Sequence, residues 1–302
     1  MFTPRTDLAM EAAAMLNRKP GEKLSGVSEE KEDKDGIKVT RVKITNEDGE
    51  RIIGKARGNY ITLEYSFEDL YGEASGENIS GAFAKELSSV VKRHKHDVIF
   101  VVGLGNRFIT PDALGPGVSD RIDVNRHLSS ADTQLCTVSP GVLGITGIET
   151  GEIIEGITDR IKPDIIIAID ALASGSMSRI CTTIQIADTG ITPGAGVGNK
   201  RKELSQRTLG IPVIAVGVPT VVDAATVAND SVELIMEKLR ETESIDPNIL
   251  DDENRYTLIR AILSPYFGEL IVTPSEIDSV IDRVADIIAR GINRCCHNKF
   301  SD

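Results

Sequence analysis

Two aspartates follow two intensely apolar stretches of this chain. Residues 98–105 (VIFVVGLG) lead through Thr110-Pro111 to Asp112, and residues 165–169 (IIIAI) lead directly into Asp170. Continuous apolar runs of this length read as strands buried on both faces, the kind found in parallel sheets with helical crossovers. Ligands in such sheets bind at the carboxyl ends of the strands. Two carboxylates delivered to that edge can share a proton and activate a water, which is the chemistry of an aspartic-type hydrolase. Each residue taken alone reads first as a cap, because an Asp side chain accepts backbone N–H bonds at the start of a helix or turn; it is the two together, at two strand ends, that bring catalysis level with capping.

The elements that must position this pair follow the strand, loop, helix order of an α/β protein. Parallel strands are predicted near 98–104, 165–170 and 211–218, and the stretch between the two aspartates is long enough for the crossover that would set the first two side by side. Residues 37–44 (IKVTRVKI) alternate as a half-exposed strand does, residues 61–65 form another strand, and residues 78–95 a helix. The charged run 28–36 (SEEKEDKDG) reads as a solvated loop, and residues 46–49 (NEDG) as a turn. Residues 180–186 (ICTTIQI) alternate, which predicts a less buried strand. A short helix is predicted over 6–18, and a long one from the capped start at 273–276 through Arg290. The fold class expected is therefore a mainly parallel central sheet flanked by helices, a three-layer α/β/α arrangement with additional small β elements. No repeat or Pro- or Ser-rich linker divides the 302 residues.

Bulk properties narrow the function. A net charge of -12 argues against direct nucleic-acid binding, which needs a basic surface. No apolar run approaches the roughly 20 residues of a membrane helix, and the first residues do not form a secretory signal. The cysteines (Cys136, Cys181, Cys295, Cys296) show no metal-type spacing and fit a reducing cytoplasm. His94, His96, His127 and His297 lie in no ligand motif, so no metal is expected. His127 falls on the helix predicted after Asp112. The glycine stretches do not complete a nucleotide motif: Gly103-Leu-Gly105 lacks the third glycine, and 194–200 (GAGVGNK) has Asn199 before its lysine and no Ser or Thr after it. No cofactor is expected. The loop 188–198 is glycine-rich enough to let backbone approach a ligand or a peptide closely.

Five segments together carry a resemblance: 101–106 (VVGLGN), 110–116 (TPDALGP), 140–150 (PGVLGITGIET), 168–173 (AIDALA) and 188–201 (DTGITPGAGVGNKR). They are similar to the spore germination protease family of endospore-forming bacteria, and the likeness extends from Arg5-Thr-Asp-Leu-Ala9 to Leu270-Ile-Val-Thr-Pro274. The resemblance implies an atypical aspartic endopeptidase with a core like that of the hydrogenase maturation endopeptidases. It implies a homotetramer of the forespore and spore core whose substrates are small acid-soluble, DNA-coating proteins. It places the catalytic pair at Asp112 and Asp170, in agreement with the reading of the strand ends. It also implies a self-processing zymogen, cut after an acidic residue and before a bulky apolar residue followed by Ala. Asp7-Leu8-Ala9 fits that rule, so residues 1–7 would form the prosegment and 8–302 a single peptidase domain. One departure is Pro4, where the family favours an acidic residue. Arg107, Lys200 and Arg201 are candidates for reading the acidic residue before the cut, by their closeness to the motif loops. Two alternatives remain: a metal-guided maturation endopeptidase, which would want a histidine where Thr192 stands, and a non-catalytic nucleotide- or peptide-binding module with capping aspartates.

Overall fold

Apolar and alternating runs alike enter one nine-stranded sheet. The computed structural model describes residues 6–14, 24–92, 94, 97–128, 133–193, 202–241, 259 and 271–297. The strands are β1 (Val27–Lys34), β2 (Ile37–Ile44), β3 (Gly58–Glu64), β4 (Val98–Gly103), β5 (Gln134–Val138), β6 (Ile165–Ser174), β7 (Thr183–Ala187), β8 (Val213–Asp223) and β9 (Ile271–Val272). Their order is β1-β2-β3-β7-β8-β6-β4-β5, with β9 added along β8. The run β8-β6-β4-β5 is parallel, and every pairing on the other side, from β8-β7 through β1, is antiparallel. The predicted parallel core is present, with β4 and β6 direct neighbours.

Helices cover both faces. They are α1 (Ala9–Ala14), α2 (Glu47–Ile53), α3 (Glu73–Val91), α4 (Leu114–Ser119), α5 (Leu143–Thr146), α6 (Thr150–Ile161), α7 (Gln206–Leu209), α8 (Ala224–Glu241) and α9 (Ile277–His297). On one face, Ile99, Val101, Ile165, Ile167, Ile214 and Val216 meet Phe83 and Leu87 of α3, Leu114 of α4, and Val284 and Ile288 of α9. On the other, Phe100, Val102, Ile166, Ala168 and Val213 meet Ile154 of α6, while Val42, Ile44 and Tyr60 meet Ala9 and Ala13 of α1 and Ile53 of α2. Strands sandwiched in this way have no wet face, which is why β4 and β6 are apolar at successive positions.

Four local expectations are corrected. The charged run 28–36 is mostly strand: β1 pairs with β2 along its whole length through a tight turn in which Asp35 and Gly36 both have positive φ (54° and 78°). An Asp-Gly pair supplies that turn at little strain. The strand tolerates charge because it is an edge, and Arg41 on β2 bonds Glu32 across the pair and Glu86 of α3 behind it, at 3.0 and 2.6 Å. The 46–49 turn is the start of α2, where Asn46 caps the helix by accepting the Gly49 N–H at 2.9 Å. β7 is wholly buried, because it lies between β3 and β8 and both its faces are covered. Finally, the helix after Asp112 ends at Ser119, so His127 lies beyond it in a turn.

Candidate active site

The turn that carries Asp112 is pressed onto the end of β4 by glycines. A Cβ at Gly103 would meet the Gly115 carbonyl oxygen at 2.2 Å, and one at Gly115 would meet the Leu104 carbonyl oxygen at 2.1 Å. Gly105 has φ +109°, and a Cβ there would lie 2.1 Å from the Asp112 carbonyl oxygen. Only glycine permits such contact between a strand end and the turn folded back on it. The turn Thr110–Asp112 is a single 3-10 turn with Pro111 near its start. The Asn106 N–H donates to both the carbonyl oxygen (3.0 Å) and Oδ2 (2.8 Å) of Asp112, which fixes the carboxylate over the strand end.

Asp170 comes from inside β6 rather than from a turn beyond it. It pairs with Gly217 of β8, is only 5 % exposed, and its Oδ1 accepts the Ala171 N–H at 3.0 Å. Both aspartates line one cavity of about 410 Å³, whose walls include Leu104, Ile109, Val142, Leu172, Val221 and Ile271. Asp170 also lines a second cavity, of about 310 Å³, with Asp7, Lys55, Tyr60, Gln185 and Thr192.

The first described residues lie against the end of β6. The Asp7 N–H donates to the Ala173 carbonyl at 3.1 Å, and the Ala173 N–H donates to Asp7 Oδ2 at 2.9 Å. Leu8 is fully buried in a cluster with Met10 and Leu172. The Asp7 carbonyl oxygen accepts from Lys55 Nζ (3.1 Å) and from Gln185 Nε2 (3.3 Å). Glu11, buried in α1, accepts from the Gly175 N–H (2.8 Å), Ser174 Oγ (3.1 Å) and Arg179 (3.0 Å). Burial holds the Lys55 ammonium below the usual lysine range, against the opposing pull of Asp7 and Glu11. Burial also pushes the Tyr60 phenol up to about 12, and its hydroxyl donates to the Ala56 carbonyl at 2.8 Å.

Sequence reading missed Lys55, Gln185, Glu11 and Arg179. The one signal was Gln185 itself, a long polar side chain between two isoleucines of β7. Of the candidate cations, Arg107 is engaged with Asp120 through two hydrogen bonds at 2.5 and 3.0 Å, which raises its pKa. Lys200 and Arg201 lie outside the described residues, as does Pro4. Among the described residues no group of three or more His, Cys, Asp or Glu side chains could hold a metal ion. No described helix is long and apolar enough to cross a membrane.

The family model described as "Germination protease" matches residues 5–248 and 245–302. The chain belongs to the germination protease family. Among its relatives, the germination protease of Clostridium acetobutylicum is 48% identical over 310 residues, covering 97% of this chain and 95% of that protein. The germination protease of Bacillus subtilis is 40% identical over 347 residues, covering 98% and 94%. A solved structure, the [NiFe] hydrogenase maturation protease HycI of Thermococcus kodakarensis, aligns with 68% of this chain and 98% of its own, at 19% identity and a TM-score of 0.37. As a germination protease family member the chain is an endopeptidase, a hydrolase of peptide bonds that acts in spore germination.

Proposed function

We propose that this endopeptidase is of aspartic type and that Asp112 and Asp170 are its catalytic pair. The observation that carries the reading is that a carboxylate from the turn after β4 and one from within its parallel neighbour β6 line one cavity. One aspartate, ionised, takes a proton from a water. The other, protonated, polarises the scissile carbonyl and then gives its proton to the leaving amine.

Two further observations support a self-processing zymogen. Asp7 lines the Asp170 cavity and is paired to β6, and Leu8 is buried against Leu172. The proposed cut falls between Asp7 and Leu8, releasing residues 1–7. The apolar walls of the larger cavity, together with exposed Ile109 and Ile271 at its margin, suit an apolar side chain of a substrate. Substrates are small acid-soluble spore proteins, cleaved after an acidic residue, by a homotetramer in the spore core. Arg107, Lys200 and Arg201 remain candidates for contacting that acidic residue.

The test is proteolysis of a small acid-soluble spore protein, and release of residues 1–7 read by intact mass, for the native chain, Asp112→Asn and Asp170→Asn. Both variants are expected to stay folded and to lose about 10²–10⁴-fold in rate, the contribution of a positioned acid or base. Near-native cleavage by either variant would make that aspartate a cap.

A further inference from the structure

One strand residue grips the Asp7–Leu8 peptide from both sides. Gln185 Nε2 donates to the Asp7 carbonyl oxygen at 3.3 Å, while its Oε1 accepts the Ala9 N–H at 2.8 Å. Only one orientation of the side-chain amide satisfies both bonds. Lys55, which follows the left-handed Gly54 cap of α2, brings its Nζ to the same Asp7 oxygen at 3.1 Å.

The register of the sheet aims these groups at the site. Asp170 on β6 pairs with Gly217 on β8, and Gly217 pairs with Gln185 on β7, so the three lie in one row across the sheet. Directly paired residues project to the same face. Gly217 contributes no side chain between the other two, and Asp7, Lys55, Gln185 and Asp170 all line the resulting cavity.

A carbonyl oxygen held by a cation and an amide N–H, in a partly enclosed site, is arranged for negative charge that the ground state does not yet carry. A half-buried ammonium gains more from an oxyanion than from a neutral carbonyl. We propose that Lys55 and Gln185 form the oxyanion site for hydrolysis of the Asp7–Leu8 bond, and of the equivalent bond in a substrate. This rests on the reading of Asp7–Leu8 as the bond cut. The water oxygen adds to the Asp7 carbonyl carbon as one of its protons passes to the aspartate pair. The π electrons move onto the carbonyl oxygen, where Lys55 and Gln185 hold them. The carbonyl then re-forms, the C–N bond breaks with its electrons on the Leu8 nitrogen, and that nitrogen takes a proton from the pair. The products are a carboxyl at Asp7 and an amine at Leu8.

The test uses the full chain, with Lys55→Met and with Gln185→Glu, which keeps the acceptor for Ala9 and, when ionised, removes the donor to Asp7. Release of residues 1–7 is timed by intact mass from mildly acidic to neutral pH, and hydrogen exchange at the Ala9 amide reports whether the segment stays seated. The expected result is a 10²–10³-fold slower cut in Lys55→Met, and in Gln185→Glu at neutral pH, with Ala9 still protected. Native-rate cutting by the variants would overturn the inference and leave the aspartic reading standing. Slow cutting with loss of Ala9 protection would overturn it too, since the two residues would then only anchor the segment. If the native chain is never cut between Asp7 and Leu8, the processing reading fails and this inference falls with it.

Discussion

The two halves of the sheet reach the site by opposite routes. The parallel half, β8-β6-β4-β5, brings strand ends together, and its backbone does the positioning: Asp112 rides on glycine contacts and Asp170 sits within β6. The antiparallel half, β1-β2-β3-β7, reaches the same cavity with side chains, Gln185 from β7 and Lys55 from the loop between α2 and β3. A parallel ladder aligns the carboxyl ends of all its strands along one edge, so short-reach carboxylates suffice there. An antiparallel ladder alternates its ends, and long polar side chains must cover the distance.

Substitutions can break or sharpen that contrast. The largest effect is expected at Gly115, where the first side-chain atom would lie 2.1 Å from the Leu104 backbone oxygen. Gly115→Ala should lower stability by about 3 kcal/mol, the upper range for overpacking, and reduce proteolysis by moving Asp112. Urea denaturation with a peptidase assay checks both, and unchanged stability would mean that glycine there does not set the turn.

On the antiparallel side, the Tyr60 phenol is pushed from the ordinary phenol value of about 10 up to about 12 because burial disfavours the phenolate. The folded state then holds a proton that the unfolded chain has lost. The resulting stability is intact below pH 10 and falls at up to about 1.4 kcal/mol per pH unit above it. Tyr60→Phe should flatten that decline in denaturation curves across the alkaline range. A slope identical to that of the native chain would assign the decline to other groups.

The smallest effect belongs to the hairpin tip. Gly36 has φ +78° and open space around it, so Gly36→Ala should cost about 1 kcal/mol of backbone strain and leave proteolysis unchanged. Loss of activity there would show that the hairpin acts on the site.

The same contrast explains what was legible beforehand. β4 and the first half of β6 announced themselves because strands covered on both faces carry unbroken apolar runs, and each run was followed by a conspicuous aspartate, one in the turn beyond β4 and one within β6. β1 was obscured because an edge strand exposed on both faces needs no apolar alternation; its signals were the Asp35-Gly36 turn and the Glu32–Arg41 partnership, which only the pairing reveals. β7 looked half-exposed because Thr183 and Gln185 are polar, yet they are buried, and Gln185 is bonded to the N-terminal segment. Lys55 left no trace in the sequence. A lone lysine after a helix is ordinary until the fold sets an N-terminal carbonyl 3.1 Å from its amine.

Gly217 makes part of the site by omission. At this position every genetically encoded replacement carries a Cβ or more, and that first atom falls 2.4 Å from Leu172 Cδ1, in the side chain against which Leu8 packs. No intermediate residue exists between an open cavity and a displaced Leu172. Any replacement therefore moves Leu172, which lines the cavity shared by Asp170 and Gln185 and packs on Leu8, so a change at a residue with no side chain of its own reshapes both.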